Sequence, residues 1–278
     1  MIKIIRKILR VLCVCVLLFS IGMIVKLLVW DSYVSDKTID EVKQVYHNED
    51  APQEDKFGSL VSINPDICGW ITVSGTRIDY PVLQGNLDDP DYYLSHNYKN
   101  EETKYGSIFI DPNCNLKNSP QNIVIYGHHM ADGQMFADVM KFSDVNFYKE
   151  NPIIEFDTLH ENAKWKIISV FKTNTLSSQG KVFQYVIPKF NTSEKFLEFV
   201  DEVKKRSVLS IPDDTAKNDI LITLSTCSYE FDDFRTVVVA RKLRKNESDT
   251  VDTSTVEKAA NPLMPDCWYE RYGGSAPS

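Results

Sequence analysis

The longest apolar stretch of the chain lies near the N-terminus. Val11 to Trp30 is apolar apart from Ser20, Gly22 and Lys26. These twenty residues, as a helix, are long enough to cross a bilayer core of about 30 Å. No small-x-small cleavage site follows the stretch, so the pattern favours a retained transmembrane anchor (residues 11–30) over a cleaved signal peptide.

Charge on either side of this stretch predicts its orientation. Four cations precede it, namely Lys3, Arg6, Lys7 and Arg10. Four acidic residues follow it, namely Asp31, Asp36, Asp40 and Glu41. By the positive-inside rule, residues 1–10 are expected in the cytoplasm and the rest of the chain outside the cell. Residues 31–56 are charged and lack Gly, which indicates a helical stalk or the N-terminal helices of the domain.

Short runs rich in β-branched and aromatic residues dominate the chain from about Ile67 onward, which is typical of strands. Ser74-Gly75 separates the first two runs as a hairpin turn. The runs are 69–73, 76–82, 106–111, 122–126, 152–157, 165–173, 220–227 and 235–244. The sequence therefore predicts about eight strands.

Helical patterns are fewer and sit between the strands. Residues 134–142 fit a short amphipathic helix, and Asn191 with Glu194 can cap a second helix that continues to about Val203. The links are too short for many parallel crossovers. This favours a closed or nearly closed, mixed β-barrel over residues 57–245, with inserted helices, rather than a doubly wound α/β sheet.

The C-terminal segment has a different composition. Residues 246–278 are rich in Ser, Thr, Asp, Pro and Gly, which predicts a flexible tail. Two runs, Asn261–Pro265 and Cys267–Tyr269, are unusual for a linker and leave a docking role open.

Composition narrows the function classes. The chain has 278 residues, 43% of them hydrophobic, and a net charge of −8. An acidic chain without a basic stripe outside its N-terminus argues against a nucleic-acid partner.

Four cysteines lie beyond the anchor, namely Cys68, Cys114, Cys227 and Cys267. They are too few for a disulfide scaffold and lack zinc spacing, so no metal or cofactor is expected, while a Cys68–Cys114 pair stays open.

One cysteine stands at the end of a predicted strand. Cys227 closes the run from Ile220, a short polar and aromatic link follows, and Arg235 opens the next run. If the two runs form a strand pair, the thiol and the guanidinium face each other at its open end. A thiol at a strand end can contact a substrate. The alternative is that Cys227 packs in the core as a small buried hydrophobic residue.

A pair of histidines ends another predicted strand. Residues 122–126 run into Gly127, His128 and His129. Because side chains alternate along a strand, only one imidazole can face a groove, and the residues alone leave the choice open. Cys, His and Arg together suit acyl transfer, with a nucleophile, a proton carrier and a donor to the oxyanion.

These residues resemble the sortases. The resemblance lies in Thr223-Leu224-Ser225-Thr226-Cys227, in Arg235, and in Tyr126-Gly127-His128. The predicted helix before the Cys227 strand and the helical N-terminal segment are most similar to class B. Over residues 40–244, the resemblance implies an eight-stranded β-barrel anchored on the outer face of a Gram-positive membrane.

The resemblance also implies roles. Cys227 attacks a C-terminal sorting motif of a surface protein after its Thr and holds the product as a thioester, and an amine of the peptidoglycan precursor then accepts the protein. His128, rather than His129, is the implied acid and base, and Arg235 the implied oxyanion or substrate-positioning residue. Candidate substrate-binding residues are Tyr126, Ser225, Thr226 and Asn97.

Two alternatives belong to other classes. A cysteine protease uses the same thioester but resolves it with water, so the requirement for an amine separates it from a transpeptidase. A membrane-tethered binding module has no use for the thiol, and Cys227 then only packs.

Overall fold

The computed structural model of the protein describes residues 2–277, which divide into one unit up to His47 and a second from Asn48. In the first unit, helix α1 (Ile2–Val25) continues through a π-helical turn (Lys26–Trp30) into helix α2 (Asp31–Tyr46). Residues 3–46 are long and apolar enough for a candidate membrane span. Helix α2 covers most of the predicted helical segment of residues 31–56, and the next helix, which begins at Gln53, belongs to the second unit.

Strands form most of the second unit. In chain order they are β1 Ile67–Thr72, β2 Asp79–Gln84, β3 Ile108–Ile110, β4 Asn122–Tyr126, β5 Ile153–Thr158, β6 Glu161–Thr173, β7 Leu209–Ser210, β8 Leu221–Ser228, β9 Phe234–Lys242 and β10 Glu257–Lys258. Eight of them close a barrel in the order β1-β2-β3-β4-β8-β9-β6-β5, and β7 pairs with β10 separately. The predicted eight-stranded barrel is therefore confirmed.

Helices precede the first strand, connect some of the strands and follow the last one. They are α3 Gln53–Ile63, α4 Tyr92–Ser95, α5 Val145–Glu150, α6 Ser193–Arg206 and α7 Asp266–Tyr272. Helix α6 is the predicted helix before the Cys227 strand, but Thr192 caps it instead of Asn191, accepting a hydrogen bond from the Lys195 amide. The helix predicted over 134–142 is a 3₁₀-helix, Ala137–Ser143.

Strand direction decides where functional groups can meet. Strand β8 runs parallel to β4 and antiparallel to β9. The last residues of β4 and β8 and the first residues of β9 therefore lie at one rim of the barrel. Seven of the eight residues of β8 are buried between its neighbours, so this strand is held rigidly up to its end.

The C-terminal segment differs from the predicted flexible tail. Strand β10 pairs with β7, and helix α7 follows. Val256, Met264 and Cys267 are buried, and the indole of Trp268 stacks on Phe234 with ring centroids 6.3 Å apart. A few widely spaced apolar side chains thus dock a segment whose average composition is polar.

Candidate active site

Cys227 and Arg235 face each other across the β8–β9 ladder. Their Cα atoms are direct partners in the antiparallel register, one position before the strands separate at Ser228 and Phe234. Both side chains are half-buried. Arg235 donates one hydrogen bond to the Phe234 carbonyl oxygen (3.0 Å) and is paired on its other side with Thr173 of β6. A thiol and a guanidinium are therefore adjacent and accessible.

His128 reaches the same rim from β4. The parallel ladder pairs Tyr126 with Ser225, and beyond it Thr226 Oγ1 donates to the Gly127 carbonyl oxygen (2.8 Å). Gly127 leaves room for the buried Phe136 ring, because a Cβ would lie 2.7 Å from Phe136 Cγ. The His128 Nε2–H donates to the Leu94 carbonyl oxygen (2.8 Å). This bond fixes the ring and leaves Nδ1 as its basic nitrogen in the neutral form.

His129 is engaged elsewhere. Its Nδ1–H donates to the Cys227 carbonyl oxygen (3.0 Å), and its ring lies against Tyr229, with centroids 4.7 Å apart. The Tyr229 hydroxyl donates to the His129 carbonyl oxygen (2.6 Å). His129 thus holds the backbone behind the thiol, while His128 lines the groove described next.

A groove of about 490 Å³ contains Cys227, His128 and Arg235. One wall comes from the segment around α4, including Leu94, and the opposite wall from residues 182–186. Tyr126, Ser225 and Thr226 also line it. An extended peptide could lie along such a groove with its reacting carbonyl at the thiol.

Two tyrosines give the groove a polar floor. The Tyr126 hydroxyl donates to Asp111 (3.0 Å), and burial together with the Asp111 charge raises the pKa of Tyr126. The Tyr185 hydroxyl lies 2.9 Å from Ser225 Oγ. Burial raises the pKa of Tyr185, although the Ser225 hydrogen bond and the Arg235 charge oppose it. Both phenols therefore stay protonated; Tyr126 gives its proton to Asp111, while Tyr185 and Ser225 share a hydrogen bond in which either hydroxyl can donate.

Asn97 lies outside the groove lining. Its side-chain oxygen accepts from the Lys99 and Glu101 amides, and its amide group donates to the Glu101 carboxylate (2.8 Å). These contacts fold a local turn. The structure thus brings together all the predicted site residues except Asn97.

The other cysteines of the barrel unit differ from Cys227 in their surroundings. Cys68 and Cys114 are free thiols, so the open question of their pairing is answered in the negative. Burial raises the pKa of Cys68 to about 12 and that of Cys114 to about 11. Such thiols stay protonated and unreactive at neutral pH.

A small ionic network lies next to Cys227. The Glu230 carboxylate pairs with Lys172 and accepts a hydrogen bond from Ser228, which in turn accepts one from Thr236 (3.2 Å). Desolvation opposes ionisation of Glu230, but the hydrogen bonds from Lys172 and Ser228 outweigh it and lower the pKa of this carboxyl. The network ties the β8–β9 loop to β6 next to the thiol.

We expect Glu230→Gln to destabilise the protein in a pH-dependent way. The depressed pKa means that the stabilisation is present above the unfolded-state pKa of about 4.3 and is lost as the pH falls through the lower folded-state pKa. Leaving Lys172 unpaired should cost about 1 kcal/mol at neutral pH. Urea unfolding at about pH 7 and pH 3 measures the difference. Glu198→Gln, which removes one partner of an exposed ion pair, is the control. If Glu230→Gln lowered the free energy of unfolding equally at both pH values, the prediction would be contradicted.

Several groove residues were not predicted from the sequence. They are Leu94, Asn174, Thr175 and residues 182–186 with Tyr185. The alternating Phe183 and Tyr185 hint at a strand, but residues 181–187 contain no regular element. The Leu94 contribution is a backbone carbonyl, which no side-chain pattern reveals.

A half-buried thiol beside a guanidinium, with an imidazole in the same groove at a barrel rim, defines a cysteine enzyme of the acyl-transfer class. Comparison with known proteins supports this class. The Sortase domain family model matches residues 71–243. Sortase B of Listeria monocytogenes is 35% identical over 223 residues, which is 78% of this chain and 87% of that protein.

Solved structures give the same result. A Staphylococcus aureus sortase B–substrate complex has a TM-score of 0.68 and 32% identity, covering 77% of this chain and 99% of that one. A sortase B complexed with triglycine matches with a TM-score of 0.68, 32% identity and the same coverages, 77% and 99%. The chain belongs to the sortase family, and these relatives are class B, so it is a sortase-type cysteine transpeptidase.

Proposed function

We propose that this sortase is anchored in the cell membrane by residues 11–30, with residues 1–10 in the cytoplasm and the barrel outside. The exposed apolar helix and the cations before it support this orientation. From there the enzyme cleaves the C-terminal sorting motif of surface proteins and transfers them to an amine of cell-wall peptidoglycan. The substrate complex of the S. aureus relative supports the donor class, and the triglycine complex supports a glycine amine as acceptor.

The proposed reaction has two steps. The Cys227 thiolate attacks the carbonyl carbon of the motif's Thr, and the C–N bond breaks as His128 gives a proton to the leaving amine. The acceptor amine then attacks the thioester, loses a proton to His128, and the C–S bond breaks to restore the thiolate. Arg235 donates hydrogen bonds to the oxyanion of each tetrahedral intermediate. The substrate peptide lies along Tyr126, Ser225 and Thr226.

The observation that carries this proposal is the register of Cys227 with Arg235, in one groove with His128. The test uses the full-length protein in detergent and a set of candidate sorting peptides that place Thr before the cleaved bond. Mass spectrometry should show a thioester adduct on Cys227, and added triglycine should convert it to an amide. Release of free acid alone, at a rate independent of triglycine, would instead identify a protease.

Arg235→Lys should be severely impaired. A lysine keeps the charge but lacks the planar fork that can donate two fixed hydrogen bonds to an oxyanion. We expect the rate of thioester formation to fall about 100-fold. Stopped reactions quantified by mass spectrometry measure this rate.

Arg244→Lys is the matched control, because Arg244 binds Asp214 and Asp219 and is absent from the groove lining. The control should react at close to the wild-type rate. A near-normal rate for Arg235→Lys would remove Arg235 from the mechanism.

A further inference from the structure

The C-terminal helix α7 packs on the loop that joins the two strands of the site. This β8–β9 loop comprises residues 229–233. The indole of Trp268 lies 6.3 Å from both Phe231 and Phe234, between ring centroids. The Arg271 guanidinium lies 4.8 Å from the Phe231 ring centroid and donates a hydrogen bond to the Glu230 carbonyl oxygen. Helix α7 follows the Sortase domain, whose match ends at residue 243.

A close approach on its other side holds the start of this helix. Gly180 adopts φ +116°, and a Cβ there would lie 2.8 Å from the Asp266 backbone nitrogen. Only glycine combines this backbone conformation with this contact. The helix therefore contacts both the loop at Gly180 and the β8–β9 loop, as an integral part of the barrel unit.

The β8–β9 loop and Arg271 enclose a second cavity of about 660 Å³. Cys227 and Arg235 line this cavity as well as the groove. His128 and the tyrosines of the groove floor belong to the groove alone. The two cavities thus share the thiol and the guanidinium and otherwise have different linings.

The chemistry requires two approaches to the thiol. When the acceptor attacks, the acyl part of the donor is still bound as a thioester, so the acceptor needs space that the donor does not occupy. The groove has aromatic and aliphatic walls that suit a peptide. The second cavity includes Tyr229, Phe231 and Phe234, but most of its side chains are polar, among them Ser228, Glu230, Asp232, Asp233 and Arg271. This polar lining suits a hydrated primary amine.

We propose that α7 shapes the acceptor side of the site, with Arg271 and Trp268 as positioning residues for the second step. This inference rests on the proposed function, since it presupposes an amine acceptor. Arg271 and Trp268 hold the β8–β9 loop in place. The loop forms a wall of the second cavity, and the acceptor lies in this cavity while its nitrogen reaches the thioester carbon. The C-terminal extension is then part of acceptor recognition.

The test separates the two steps in the full-length protein in detergent. Arg271→Ala should raise the KM for triglycine about fivefold, as expected for the loss of one hydrogen bond and its stacking contact. The rate of thioester formation without acceptor should stay within about twofold of wild type. Arg271→Lys keeps a hydrogen-bond donor, so its KM for triglycine should lie between the values of the wild type and of Arg271→Ala. Lys258→Ala, which removes an exposed cation from β10 in the same extension, is the matched control and should change neither quantity.

Results that contradict the acceptor-side role differ from results that contradict the proposed function. An unchanged triglycine KM in Arg271→Ala, or an equal loss in both steps, would overturn the acceptor-side role. Trp268→Ala should raise the KM further, and Trp268→Phe, which keeps the stacking on Phe234, guards against a variant that fails to fold. Absence of any thioester in the wild-type protein would refute the proposed function itself, which is a different result.

Discussion

Cys227→Ala should abolish both steps of the reaction. The alanine cannot form a thioester, and neither His128 nor Arg235 can replace the nucleophile. Peptide cleavage is therefore expected to fall by at least about 10⁴-fold, as for other enzymes that lose a covalent nucleophile. Mass spectrometry of the full-length protein with a sorting-motif peptide should show no adduct, and chromatography should show no amide after triglycine is added.

Cys114→Ala and Cys68→Ala are the controls for this prediction. Both thiols are free, Cys114 is buried and Cys68 half-buried, and burial raises the pKa of each, so removing them should affect stability more than turnover. The binding-module interpretation predicts no adduct in any variant or in wild type. Turnover that survives in Cys227→Ala would place the nucleophile on another residue.

The rim that carries the site follows from features visible in the sequence. Two β-branched runs joined by a short polar link predict an antiparallel pair, and the pair brings Cys227 opposite Arg235. The parallel pairing of β4 with β8 is less visible, because no short-range pattern encodes it. That pairing delivers His128 to the same rim, whereas the family resemblance supplied only the choice of His128 over His129.

The walls of the groove were beyond sequence reasoning for a physical reason. Leu94 acts through its carbonyl oxygen, and every residue has one. Residues 182–186 pack as an irregular segment whose position depends on neighbours distant in the chain. The prediction that Asn97 lines the groove was wrong for a related reason. An Asn in a polar loop more often makes hydrogen bonds within its own turn than to a ligand.

The C-terminal extension shows where average composition misleads. Polar residues dominate positions 246–278, yet Trp268 and Cys267 are among a few apolar residues that anchor the segment. A small number of well-packed contacts can order a polar segment when the surface that receives them, here Phe231 and Phe234, already exists.

The two adjacent histidines should differ greatly in their effect. His128→Ala removes the imidazole that lines the groove, so thioester formation should slow by about 100-fold or more. His129→Ala loses a hydrogen bond to the Cys227 carbonyl oxygen and a contact with Tyr229, so a severalfold loss is expected. Rates of thioester formation at saturating peptide measure both.

Added imidazole distinguishes proton transfer from structural damage. In His128→Ala, a small imidazole can enter the space left in the half-buried groove and protonate the leaving amine, so the rate should rise with its concentration. In His129→Ala, the lost group holds backbone, and imidazole in solution cannot restore that constraint. If imidazole rescued His129→Ala instead, or if His129→Ala were the slower variant, the acid and base would be His129, and the ring bound to Leu94 would only support the groove wall.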